Sequence, residues 1–307
     1  MKVSVLMITY NQETYIAQAL TTVLMQIVDF DYEIVVGEDC STDNTRKVIL
    51  EYMEKYPGKI RLLPPEDNLG MMRNLIKTYS ACAGEYIAVL EGDDLWTDPH
   101  KLQRQVTFLD AHPDFAICFH NADYLWETDG EPPTKFLCSE DQKEVSDLED
   151  LLNGNFIPTL TSMFRNRLFG SFPGWFDDLK YGDWPLHILN AQFGKIGYLK
   201  ESMASYRVHP GGVASIAHTN KKKYVETLMN TINFYVVMDT HFNYRYKQII
   251  DKKLSENYCL VAKGYESLGE PLNASRYYIK HISTSSVSEV LRRIVARLGR
   301  MARNCQS

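Results

Sequence analysis

Early in this 307-residue chain, four short apolar runs each end in a polar cluster. "VSVLMI" (3–8) leads into "TYNQE", "YEIVV" (32–36) into "GEDCSTDNT", "IRLL" (60–63) into "PPEDNLG", and "YIAVL" (86–90) into "EGDD". Between the first two runs Tyr15, Ile16, Ala19, Leu20, Val23, Leu24 and Ile27 recur at helical spacing. Val48, Ile49, Tyr52, Met53 and Tyr56 do the same after the second run, and a further helix is predicted near 71–82. Runs that are apolar throughout suit parallel strands covered on both faces. Strand and helix alternating at this spacing predict a doubly wound α/β sheet. Ligands of such sheets bind beyond the carboxyl ends of the strands, where all four polar clusters fall.

The last cluster is the most demanding. An apolar strand candidate runs directly into Glu91, Gly92, Asp93 and Asp94, with Asp98 close behind. Carboxylates this close repel and raise one another's pKa unless water, donors or a cation intervenes. Either the turn is an acidic cap for the next helix, or it is a cation site. The composition leaves both open: 45% apolar and 23% charged residues describe an ordinary globular chain. A net charge of −6 argues against nucleic acid as the main partner. No GxGxxG follows the first strand and no GxxxxGK[ST] occurs, which removes the main support for a dinucleotide dehydrogenase or a P-loop enzyme. Six scattered cysteines without a CxxC read as reduced thiols of a cytoplasmic protein. The run Val3 to Ile8 is too short for a signal peptide, and no stretch approaches the roughly 20 apolar residues of a membrane span.

Residues 126–145 form a long polar excursion, expected as a loop over the site. A mixed region follows, and beyond about residue 219 the pattern turns helical and rich in Tyr and Lys. The expected division is therefore 1–218 and 219–307, with a helix–turn–helix pair over 258–281. The tail 287–303 sets Val287, Leu291, Ile294, Val295, Leu298 and Met301 against Arg292, Arg293, Arg297, Arg300 and Arg303. Such a basic amphipathic helix suits the inner face of an anionic membrane, the body of the protein, or a second subunit in a homodimer.

"VSVLMITYNQETYIAQALTTVLMQ", "YEIVVGEDCSTDNT", "DNLGMMRN" and "GEYIAVLEGDDLW" together resemble the inverting glycosyltransferases of family 2, in that family's order and spacing. The resemblance is strong over about residues 1–120 and extends through "YGDWPLH" and "YRVHPGG" to about 215. It implies the GT-A fold, a Rossmann-like, mixed and mainly parallel sheet flanked by helices, here with a C-terminal helical extension. It also implies a nucleotide-sugar donor. Thr9, Tyr10 and Asn11 would hold base and ribose, and Asp39 would accept the base N3–H, which favours UDP- or dTDP-sugars over cytosine. Glu13, Ser41, Asn68, Gly70, Glu91, Gly92 and Asp93 join them as donor-binding positions, with Arg73 meeting base or diphosphate. From the residues alone, "EDCSTDNT" also reads as a helix cap, with Asp43 closer to that role.

"EGDD" corresponds to the family's DxD motif, with Glu91 at the usual first Asp. The resemblance implies Mg²⁺ or Mn²⁺ on Asp93, with Glu91, Asp94 and His209 as further ligand candidates. Arg207 and His209, in "YRVHPGG", would meet phosphate oxygens, and Asp183, in "YGDWPLH", would be the catalytic base. Asp183 before Pro185 is also a good helix start. The implied reaction is a single displacement that inverts the anomeric carbon. The implied acceptor is a hydroxyl of a glycan or lipid-linked molecule, in surface polysaccharide assembly. A sugar nucleotidyltransferase, which would release pyrophosphate, and a non-catalytic scaffold are the rival readings.

Overall fold

The strands expected at 3–8, 32–36, 60–63 and 86–90 form at Val3–Thr9 (β1), Tyr32–Glu38 (β2), Ile60–Leu62 (β3) and Tyr86–Val89 (β4). The computed structural model describes residues 1–64, 67–127, 135–210, 212 and 220–285. The intervening helices are Ile16–Leu24 (α1), Thr45–Lys55 (α2) and Met71–Ala81 (α3). Leu95–Trp96 (β5), Lys101–Ala111 (α4), Phe115–Trp126 (β6), Val145–Ser146 (β7) and Leu148–Asn153 (α5) follow. Met163–Arg165 (β8), Asp183–Ala191 (α6) and Lys195–Val208 (β9) complete the sheet region.

Among the described residues the strands make one sheet in the order β3-β2-β1-β4-β8-β6-β9-β5, with β7 paired to β9. β1 runs parallel to β2 and β4, so Val5 sits between Ile34 and Ala88, and β3 is parallel to β2. β8 is antiparallel to both β4 and β6, and β6 returns to a parallel pairing with β9. The sheet is therefore mixed and mainly parallel.

The apolar character of the first strands has the expected cause. Val5, Met7, Ile34, Val36 and Ala88 face a core shared with Ile16, Leu20 and Val23 of α1, Ile49 of α2 and Leu102, Val106 and Leu109 of α4. On the opposite face α3 lies so close to β2 that a Cβ on Gly37 would collide with Thr78 and Asn74. Asn74 Nδ2 also donates to Gly37 O at 2.7 Å there. Every residue of β2 is buried, which leaves no room for the alternating pattern of a one-sided sheet.

Packing divides the chain after Pro210, eight residues before the boundary expected at 218, which itself falls outside the described residues. The second unit holds Lys221–His241 (α7), Lys247–Ser267 (α8) and Pro271–Thr284 (α9). The helix pair expected over 258–281 is thus α8 and α9, begun eleven residues earlier. Its small core joins Val225, Leu228 and Val261, with Tyr265 and Tyr277 stacked at 5.7 Å. The basic tail at 287–303 lies outside the described residues. Among those described, no helix is long and apolar enough to cross a membrane.

Two features prepare the site. Asp98 accepts the His100 N–H at 2.7 Å in the turn entering α4. Trp96, wholly buried, donates its indole N–H to Leu160 O at 2.9 Å and ties β5 to the turn before β8. Trp96→Phe keeps an aromatic ring but leaves that carbonyl without its partner. It is expected to destabilise the first unit by about 1–3 kcal/mol, read from the urea midpoint at unchanged slope.

Candidate active site

At the carboxyl ends of β1 and β2 the two polar loops are joined by reciprocal hydrogen bonds. Asn11, in a left-handed conformation (φ 52°), accepts the Thr42 N–H at 2.8 Å, and its own N–H reaches Ser41 Oγ at 2.9 Å. Glu13 accepts from the Asn44 backbone and side chain at 2.8 and 2.7 Å. Asp43 accepts from Thr45 N and Glu13 N. Burial pushes the Asp43 carboxyl up, but these hydrogen bonds outweigh it and hold the group below its usual range. Asp43 thus receives the first N–H of α2 from the position before the N-cap, which is Asn44. Tyr10 stands exposed at the mouth, while Thr9 is buried with its hydroxyl on Gln12 Oε1 at 2.7 Å.

Asp39, only 5% exposed, shapes the third loop. Its two oxygens accept Leu69 N and Gly70 N, each at 2.8 Å, while Asn68 Nδ2 donates to Asp39 O at 2.9 Å. Gly70, at φ +78°, makes the turn that opens α3. Each Asp39 oxygen retains a second lone pair, so the carboxylate can still accept from a ligand. Arg73, one turn into α3, is largely exposed and pairs with Asp177 at 3.3 Å.

The turn after β4 needs its glycine. A Cβ on Gly92 would lie 2.5 Å from Gln12 Oε1 and 2.7 Å from Thr9 Oγ1. Arg207, near the end of β9, is 5% exposed and engaged throughout. Its backbone N–H donates to Asp94 Oδ1 at 2.8 Å, and its Nε donates to Asp93 O at 2.7 Å. Nη1 pairs with Glu127, Nη2 meets Gln18 Oε1 at 2.5 Å, and the guanidinium lies 4.7 Å from the Tyr15 ring centre. His209 packs on the same Tyr15 ring at 4.6 Å and brings Nε2 within 3.1 Å of Asp93 Oδ2.

The expected four-residue metal set is therefore assembled only in part. Asp93 and His209 meet, whereas Asp94 is turned inward, 2% exposed, with one oxygen on the Arg207 backbone. Among the described residues no three His, Cys, Asp or Glu side chains converge as a ready metal cage. The carboxylate and imidazole that do meet fit a hard or borderline divalent cation whose remaining positions go to phosphate oxygens and water.

Asp183 opens α6, but not as its cap, which is Gly182. Its Oδ2 accepts Asn155 Nδ2 at 2.9 Å and Thr159 Oγ1 at 3.3 Å. Glu91 lies in the fields of both Asp93 and Asp183. Burial first, then those two carboxylates, push its pKa up to about 8. One turn behind Asp183, burial lowers His187 to about 4 while the Asp183 charge acts the other way. The sequence reading missed Tyr15, Gln18, Glu127, Asn155 and Thr159. Gln18 carried a signal as a polar residue between the apolar positions of α1; the others carried none.

With this geometry in view, the likenesses to known proteins are informative. Residues 4–170 match the family described as glycosyl transferase family 2. The chain belongs to that family. Uncharacterised proteins of Mycobacterium tuberculosis are 38% identical over 73% of this chain, which spans 64% of their length. The putative teichuronic acid biosynthesis glycosyltransferase TuaG of Bacillus subtilis is 30% identical over 69% of the chain and 81% of its own. Residues 1–349 of Staphylococcus aureus TarS, solved with UDP-GlcNAc, superpose with a TM-score of 0.58 at 18% identity, covering 92% of this chain and 89% of that one. The mannosyltransferase PcManGT of Pyrobaculum calidifontis, solved with GDP-Man and Mn²⁺, gives 0.60 at 16% identity over 97% and 80%. These structures share the GT-A fold with this chain.

The raised Glu91 pKa has a consequence for the metal-free protein. A group raised from 4.5 to about 8 contributes stability while protonated and loses that contribution as pH rises through the folded value. The melting temperature in EDTA is expected to fall between about pH 5 and 8.5, and Glu91→Gln should flatten the decline.

Proposed function

We propose that this chain is a metal-dependent, inverting glycosyltransferase that moves a sugar from a UDP- or dTDP-sugar to a hydroxyl of a glycan or lipid-linked acceptor. The observation that carries the reading is the meeting of Asp93 and His209 at 3.1 Å in the turn after β4, a carboxylate and an imidazole suited to a divalent cation. Asp183 is held separately at the start of its helix by Asn155 and Thr159. Family membership supports sugar transfer, and Asp39 beside Gly70 supports a base with an N3–H. TuaG supports a setting in surface polysaccharide assembly, and TarS with UDP-GlcNAc supports a uridine donor. PcManGT with Mn²⁺ supports the choice of cation.

In this mechanism Asp93 and His209 would hold the cation, and a divalent cation bound there would supply positive charge to the departing phosphate oxygens. Arg73, exposed near the 68–70 loop, adds a guanidinium on the donor side. Arg207 holds the 91–94 turn from beneath, so that Asp93 meets the diphosphate in a fixed position. Asp183 accepts the proton of the acceptor hydroxyl as it attacks the anomeric carbon from the face opposite the leaving group. Alignment and electrostatics carry the rate, and no covalent sugar–enzyme intermediate forms.

A panel of UDP-, dTDP- and GDP-sugars, assayed for nucleoside diphosphate release with Mn²⁺ and with EDTA, tests the proposal. One uridine or thymidine donor is expected to turn over only with the metal, and pyrophosphate release would point to nucleotidyl transfer instead. Asp183→Asn should lower turnover by about 10²–10⁴-fold with UDP affinity unchanged. Asp93→Asn should weaken Mn²⁺ binding measured by calorimetry in the presence of UDP.

A further inference from the structure

Both hydrogen bonds that reach the Asp183 carboxylate among the described residues end on the same oxygen, Oδ2. The donors come from one short segment after α5 that carries none of the donor-binding motifs. The amide of Asn155 has its orientation set locally, because the Ile157 N–H donates to Asn155 Oδ1 at 3.3 Å. Its Nδ2 is thereby turned to Asp183, and an amide nitrogen can only donate. Thr159 adds its hydroxyl at 3.3 Å.

That segment is stiff for reasons visible in its own bonds. Pro158 O accepts from the backbone and hydroxyl of Thr161 at 3.0 and 2.7 Å. Thr159 O accepts from Ser162 N and Oγ at 3.2 and 2.9 Å. Leu160 O is held by the Trp96 indole at 2.9 Å, and Thr161 O by Gln105 Nε2 at 2.9 Å. Trp96 follows Asp94 by two residues, so the turn bearing Asp93 and the donors to Asp183 hang on one short path. Asp183 is propped from a second side too. A Cβ on Gly182 would lie 2.5 Å from Leu75 Cδ2 and 3.3 Å from Met72 Sδ, so the chain entering α6 lies against α3, which starts just after the 68–70 loop held by Asp39.

We infer that Asn155 and Thr159 are positioning residues that occupy Oδ2 of Asp183 and leave Oδ1 as the oxygen that takes the acceptor proton. The inference rests on the reading of Asp183 as the base. The acceptor O–H bond breaks with its proton passing to Oδ1, and the acceptor oxygen bonds to the anomeric carbon. The bond from that carbon to the diphosphate oxygen breaks, and its electron pair leaves with the nucleoside diphosphate. The Asp183 charge acts on Glu91 and on His187, and neither supplies the hydrogen bonds described. The pair also keeps the carboxylate from rotating and from pairing with an incoming hydroxyl through the wrong oxygen.

The test compares Asn155→Ala, Thr159→Val, Thr159→Ser and Asp183→Asn in the full chain, with the nucleotide sugar that the panel selects. Asn155→Ala and Thr159→Val are each expected to lower kcat about tenfold, and together about a hundredfold. Donor KM, UDP affinity by calorimetry and melting temperature should change little, and Thr159→Ser should retain most of the activity. A double variant within about twofold of wild-type kcat, beside an inactive Asp183→Asn, overturns this inference alone. Loss of UDP affinity and melting temperature in step with kcat also overturns it, because the two residues would then be structural only. An active Asp183→Asn, or no turnover of any nucleotide sugar, overturns the base reading and this inference with it.

Discussion

The carboxylates crowded after β4 can exist in one small turn because Arg207 lies buried beneath them. Its backbone N–H meets one oxygen of Asp94, its Nε holds the Asp93 carbonyl, and its outer nitrogens reach Glu127 and Gln18. A guanidinium removed from water in this way is tolerated because its donors are met and negative charge surrounds it. The same residue sits on the Tyr15 ring, which His209 shares, so the stretch from Arg207 to His209 is registered against α1 and the acidic turn together. The Asp93–His209 meeting depends on that registration.

The sheet supplies the platform on which this becomes a site. β1, β2 and β4 run parallel and side by side, so their carboxyl ends deliver Thr9, Asp39 and Glu91 to one edge. The crossover helices lie on both faces, which forces the strands to be apolar throughout and leaves polar chemistry to the loops. β8 and β9 then bring distant segments to that edge. Pairing of β8 with β4 carries the 155–161 segment in, and β9 ends at the acidic turn through β5.

Much of this was legible from local pattern. The four strands and their helices follow from periodicity, and the donor loops from polar residues recurring at strand ends. Asp43 at the start of α2 was within reach of residue chemistry, whereas the hold of Asp39 on the third loop was not. The sharing of roles within "EGDD" was not. The family resemblance singled out Asp93, but residue chemistry alone leaves Glu91, Asp93 and Asp94 alike, and the partners that separate them, Arg207 and His209, lie more than a hundred residues away. Asn155 and Thr159 were invisible for a similar reason. An Asn and a Thr in a loop carry no signature, and only the pairing of β8 with β4 sets them beside Asp183.

The chain by itself determined the α/β class, the positions of its first four strands and the kind of chemistry available at the strand ends. Those depend on burial periodicity and on residue types, which are properties of neighbouring positions in the sequence. Tertiary structure alone decided which carboxylate meets His209, which is buried against the Arg207 backbone and which oxygen of Asp183 is occupied by Asn155 and Thr159. Hydrogen bonds and fields act through space, and the groups that set them are brought together only when the sheet closes around them.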